Sequence, residues 1–172
     1  GNLILAAGEG LVKDFAKHPW PDIHESIYFI TAPAAYQTFE DRQHCSIIRP
    51  HPALKHFPHD GYCSFQFYRM IAGSPPLELE PLGLNDSEPI IRMVHHFRVS
   101  RSLAYLTERS LGQGRILICA LNLDWNYPEA AYFLTCLCDY LMGETTERVP
   151  ELPNDTIEIL LQTGALADDY GQ

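Results

Sequence analysis

The chain has 172 residues, 46% hydrophobic and 20% charged, which fits one globular domain and not a disordered chain. Its net charge of −10 argues against a general phosphate-binding surface, since nucleic-acid affinity rests on neutralising phosphates with Lys and Arg. Its longest apolar stretch, Ile116–Leu121, is strand-sized and far short of the ~20 residues that span a bilayer.

Leu3–Ala7 is an apolar run of the kind that suits a strand buried on both faces. The chain opens almost directly on this run, which raises the expectation of a segment upstream. Leu11–Lys17 reads as a short helix, stopped by His18-Pro19-Trp20-Pro21, because the residue before a proline is driven out of helical geometry. Ile27–Thr31 and Cys45–Arg49 read as strands closed by prolines. After the Asp60-Gly61 turn, Tyr62–Ala72 reads as a helix ended by Gly73-Ser74-Pro75-Pro76. Pro75–Pro89 reads as an irregular connection holding one short strand at most, and Pro89–Phe97 as a further strand.

The clearest local unit follows. Leu103–Arg109 and Arg115–Leu121 flank Leu111-Gly112-Gln113-Gly114, a glycine-bearing connection of hairpin length. The second of these strands is apolar throughout from Ile116 to Leu121 and belongs inside a covered sheet. Pro128 opens a helix, its fixed φ suiting a first turn. Ala130, Phe133, Leu134, Leu137, Cys138 and Leu141 recur at three- and four-residue spacing up to Gly143, the expected stop. Residues 1–143 are therefore taken as one α/β domain, a layered sheet with a β-hairpin near 103–121. Residues 144–172 are taken as an acidic extension that carries −6 of the net charge. Asp155 is the expected cap of one helix within it.

Several groups of chemistry-bearing residues invite a functional reading. His51, His56, His59, Asp60 and Cys63 are all metal-ligand types, and a His-rich metal module built on the three histidines is one alternative. Three prolines and a glycine turn do not place these residues on one helical face, so solvated loop histidines are the plainer reading. Cys63 ahead of a helix is a candidate thiol nucleophile with His95 or His96 as base. Its neighbours Tyr62 and Ser64, with Phe65 beyond, are not the small residues that a strained nucleophile elbow needs.

Tyr62, Phe65, Phe67 and Tyr68 offer either a sugar-stacking platform or a core stripe at helical spacing. Asp124, Trp125 and Tyr127 lie just past the end of a strand and before a helix N-terminus, where ligands settle in open α/β sheets. They are the nominated binding residues. Five cysteines without a CxxC pair give neither a disulfide framework nor a zinc site. Cys119 reads as a buried thiol, and Cys136 and Cys138 as residues on different helix faces.

Two segments carry a resemblance. His51-Pro52-Ala53-Leu54, then Phe57-Pro58 and the aromatic block around Gln66, resemble a stretch in the C-terminal regions of bacterial family 2 glycoside hydrolases, the β-galactosidase-like enzymes. That block carries tryptophans where this chain has Phe65, Phe67 and Tyr68. Pro89-Ile90-Ile91 through Glu108-Arg109-Ser110-Leu111-Gly112-Gln113-Gly114 to Cys119 is similar to the strand–turn–strand of the same module, and the helix from Pro128 to Leu141 completes it.

The resemblance spans roughly Ser46 to Met142. It implies a three-layer, Rossmann-like sheet between helices, like the class I glutamine amidotransferase and flavodoxin-like folds. It also implies attachment to a glycoside hydrolase catalytic domain, and a periplasmic or extracellular home. Those amidotransferases use a cysteine between small residues with a His–Glu pair; the sequence matches neither motif, and no catalytic residue carries over. Fold likeness alone does not establish activity, and 172 residues cannot hold the eight βα units of a glycosidase barrel.

The expectation is thus a non-catalytic accessory module of carbohydrate processing, acting by packing, oligomerisation or glycan contact. No cofactor, nucleic acid or membrane span is expected. A small Cys63-dependent hydrolase is the alternative enzyme reading.

Overall fold

The computed structural model describes residues 2–6, 46–71, 74, 76–94, 102–143 and 148–158. The expected helix at Leu11–Lys17, the strand at Ile27–Thr31, and His95 and His96 lie outside these residues. The architecture is mixed α/β, a largely antiparallel sheet joined by one parallel strand and covered by helical segments.

The hairpin organises the sheet. Strand β5 (Leu103–Leu111) and strand β6 (Gly114–Cys119) pair antiparallel from Leu106↔Cys119 to Leu111↔Gly114. The turn has two central residues, and only the first, Gly112, has a positive φ, 57°. That is the type II′ pattern, whose twist matches the flanking strands. Strand β1 (Leu3–Ala6) pairs parallel with β6, Ala6 lying beside Cys119, so β6 is an interior strand.

On its other edge β5 takes strand β4 (Ile91–Met93), which takes the edge strand β2 (Ser46–Ile48). The β4–β5 register shifts between Ile91 and Arg92, passing over Tyr105. Tyr105 is fully buried there, and its hydroxyl lies 3.9 Å from the Met93 sulfur. The two-residue strand β3 (Leu77–Glu78) continues the β6 edge of β5 beyond the end of β6. The Pro75–Pro89 connection therefore holds the single short strand expected of it.

Helix α2 (Pro128–Met142) has Pro128 in its first turn and buries Ala130, Phe133, Cys136, Leu137, Tyr140 and Leu141. Its stop, Gly143, has φ −77°, so this glycine ends the helix without a left-handed residue. The aromatic segment before α2 behaves differently from the expected helix over Tyr62–Ala72. Ser64 is extended, residues Phe65–Phe67 form a 3₁₀ turn, and only Tyr68–Ile71, helix α1, is α-helical. The cause is local. Gly61 has φ 86°, and the Cys63 amide is spent on Ser46 Oγ at 2.8 Å, so the helix starts only after Ser64.

Phe57, in the loop after the 3₁₀ turn Pro52–Leu54, fixes this segment to α2. Its ring meets Phe67 at 5.1 Å and Phe133 at 4.9 Å, both edge-to-face, the preferred aromatic geometry.

The opposite face of the sheet is covered by the 79–90 loop and by residues 149–157. Leu79, Leu82, Leu84 and Leu152 are all buried. Ser110 donates to Pro150 O and its carbonyl accepts from Leu152, so the later segment adds itself to the free edge of β5. Residues 154–158 are helical, and the Ile157 amide bonds Pro153 O. Asp155 therefore sits inside the first turn and not at the cap, still where a carboxylate favours the helix amides.

Candidate functional site

Within the apolar strand β5, Glu108 and Arg109 stand side by side, and both are buried, at 4% and 1% exposure. Alternation sends them to opposite faces of the sheet. Glu108 turns toward α2. Its Oε1 accepts from Arg115 Nη1 at 2.9 Å and from the Tyr140 hydroxyl at 2.8 Å. Arg115 and Tyr140 also meet each other at 2.9 Å.

The other carboxylate oxygen lies 3.2 Å from His51 Nε2. This N–H is not aligned on the oxygen, so the two atoms are close without a formed hydrogen bond. His51 Nδ1 accepts the Ala53 amide, and its ring packs edge-on against Tyr140 at 5.2 Å.

Burial would raise the Glu108 carboxyl, but His51, Arg115 and Tyr140 more than offset this and hold it below its ordinary value. The same burial, helped by the Glu108 charge, pushes the Tyr140 phenol up to about 12. This is a buried polar clasp joining β5, β6, α2 and the His51 loop: the His51 and Glu108 side chains are 1% and 2% exposed.

Arg109 holds the other face. Its guanidinium donates to Asp86 Oδ1 at 2.9 Å, Ser87 Oγ at 2.6 Å, Glu108 O at 2.9 Å and the Leu84 carbonyl.

Cys63 is buried, its thiol pushed up to about 12 by burial and only partly relieved by Ser46. A nucleophilic cysteine needs the opposite environment, one that favours thiolate. Cys119 is buried as expected and likewise pushed up to about 12. Cys136 is buried while Cys138 is half-buried, in keeping with their different helix faces.

The histidines of the 51–63 segment part company. His51 enters the clasp, His56 is exposed with its carbonyl accepting from Tyr132, and His59 Nδ1 accepts the Gly61 amide. Among the described residues no group of three or more His, Cys, Asp or Glu side chains converges on a point.

Two of the sequence-nominated groups do come together. The Asn122 amide donates to Met70 O at 2.8 Å, which sets the turn after β6 against the end of α1. In that turn Asp124 Oδ1 accepts from the Asn126 amide at 2.9 Å and from Asn126 Nδ2 at 2.7 Å. Such an Asx turn fixes the loop through a side chain. Trp125, at its tip, is 71% exposed. Tyr127 lies under the Arg69 guanidinium at 4.7 Å, a cation–π contact, and Arg69 also reaches Glu129 at 3.9 Å.

In the 3₁₀ turn ahead of α1, Phe65 is 89% exposed and lies nearly parallel to Tyr68, 15° between planes and 6.3 Å between centroids. Phe67 instead enters the core. The aromatic block is thus divided, with Phe67 as core and Phe65 on the surface.

The Glu108–Arg109 pair was not singled out by sequence reasoning. The signal was present: two adjacent charges inside a strand otherwise made of Leu, Ala, Tyr, Thr and Ser. Its partner His51 lies far away in the chain and carries no mark of the pairing.

Among the described residues no helix is long and apolar enough to cross a membrane. No curated protein matches the sequence. A family model, described as a domain of unknown function, DUF8487, matches residues 28–162. That match takes in the hairpin, α2 and the segment docked on the free edge of β5, and the chain belongs to the DUF8487 family.

Proposed function

We propose that this chain is a non-catalytic accessory module of carbohydrate processing, built as an amidotransferase-like layered sheet. The observation that carries the reading is the state of Cys63. Cys63, the candidate nucleophile, is sealed in the core, with its ionisation pushed up to about 12. Among the described residues, Glu108 is engaged by Arg115 and Tyr140, and His51 is shut in beside it, away from solvent. A protein whose reactive groups are used in this way acts through its surface.

The fold part of the proposal is supported by the parallel β1–β6 pair and by α2 following β6. The carbohydrate part is supported by the resemblance of residues 46–142 to modules of family 2 glycoside hydrolases. A glycoside hydrolase catalytic domain is the expected neighbour.

Thiol alkylation measured against pH tests the non-catalytic reading, with Cys63 resolved from Cys138 by peptide mass. Cys63 is expected to react more slowly than the half-buried Cys138 across neutral pH. An acid-shifted profile at Cys63, faster than Cys138 at pH 6, overturns the proposal in favour of a cysteine hydrolase.

A further inference from the structure

Where the turn after β6 meets α1, Phe65 and Trp125 stand out into solvent. We infer that this surface is a binding platform for the pyranose rings of a neutral oligosaccharide, with Trp125 and the Phe65–Tyr68 pair as the stacking faces. This rests on the accessory reading above and gives it a ligand class.

The first argument is placement. Isolated exposed aromatics are ordinary, but these are connected. Phe65 stacks on Tyr68, Arg69 follows on the same helix, Arg69 covers Tyr127, and Trp125 stands two residues before Tyr127 in one turn. The same chain buries Phe57, Phe67 and Phe133 almost completely. Leaving Phe65 at 89% and Trp125 at 71% exposure therefore keeps large apolar surfaces in water beside a well-packed aromatic core.

The second argument is rigidity. Trp125 sits on a turn closed by both Asp124–Asn126 hydrogen bonds and tied to α1 through Asn122 and Met70. A platform held in this way loses little conformational freedom on binding.

The third argument is charge and shape. The rim carries Asp124 and Glu129 against Arg69, whose guanidinium is already shared between Tyr127 and Glu129. Stacking of nucleobases comes with a cationic groove for the phosphates, and this rim is acidic. An ammonium cage needs aromatic faces turned around the cation, whereas Phe65 and Tyr68 are nearly parallel. A pyranose meets both conditions. Its C–H face lies flat on a ring, and its hydroxyls can bond the Asp124 oxygen that has no hydrogen bond among the described residues.

The test is isothermal titration of the full chain with uncharged β-1,4-linked hexaoses of glucose, xylose, mannose and galactose. Saturable binding of at least one is expected. Trp125→Ala and Phe65→Ala are each expected to weaken it about tenfold or more, with melting temperatures unchanged because both side chains are outside the core. No binding to any of these sugars overturns the inference, even where a protein partner is found to use the same surface. Binding that survives in the Trp125→Ala/Phe65→Ala double variant overturns it too. Failure here with an unreactive Cys63 leaves the accessory reading standing, whereas a reactive Cys63 removes that reading whatever the sugars do.

Discussion

A carboxylate at 4% exposure inside a sheet is costly unless its charge is answered, and at Glu108 three side chains answer it. Removing one partner of a buried charged group destabilises more than the pair itself contributes, because the other partners are left stranded. Glu108→Gln is therefore expected to cost about 3 kcal/mol in urea unfolding at neutral pH.

The pH dependence follows from the direction of its shift. Folded Glu108 is held below its ordinary value of 4.5, so the folded chain binds this proton less tightly than the unfolded one. The stability it supplies is fully present above the unfolded value and is lost as pH falls through the lower, folded value. Unfolding free energy measured between about pH 5 and pH 3 should fall more steeply in the parent than in Glu108→Gln. Equal slopes would show that Glu108 is not clasped.

Elements differ in how much of their making is local, and this decided what could be read in advance. The hairpin and α2 were legible because their signals lie within a few residues: Gly112 for the turn, Pro128 and Gly143 for the helix ends. Helix α1 was over-read because the bond that delays it comes from Ser46, on the far edge strand. Tyr62, Phe65, Phe67 and Tyr68 looked alike in sequence, and only the meeting with Phe57 and Phe133 selects Phe67 for the core. The nominated residues Asp124, Trp125 and Tyr127 were placed correctly at a strand end, but their closeness to α1 depends on a long-range backbone bond.

At the hairpin, a Cβ added to Gly112 would meet nothing within 4 Å, so any penalty there is conformational and not steric. Gly112→Ala should cost about 1 kcal/mol for its left-handed φ, and Gly112→Asn less, measured by thermal or urea unfolding. An equal loss for both would point to some other cause.

For the whole molecule, the segment after Gly143 matters more than its acidic composition implies. Leu152 is 3% exposed and Thr156 1%. Thr156 Oγ1 donates to the Leu82 carbonyl, and Leu152 lies in the same buried cluster as Leu79, Leu82 and Leu84. Leu152→Ala is expected to lower stability by about 2–3 kcal/mol, and a chain ending at Gly143 should lose at least as much. A truncation that melts with the parent would mean that residues 149–157 only rest on the sheet. Sequence showed the charge of this segment but not its docking, since a few apolar residues among acids give no periodic signal.

The neighbouring Glu108 and Arg109 also bear on how the chain threads itself during folding. A slip of β5 by one position would turn the guanidinium toward Arg115 and the carboxylate toward Asp86 and the Leu84 carbonyl. Both mismatches are repulsive and shut away from water, so a mis-threaded sheet is penalised on its two sides at once. The central strand thereby acts as its own proofreader, admitting one alignment before the outer layers close over it.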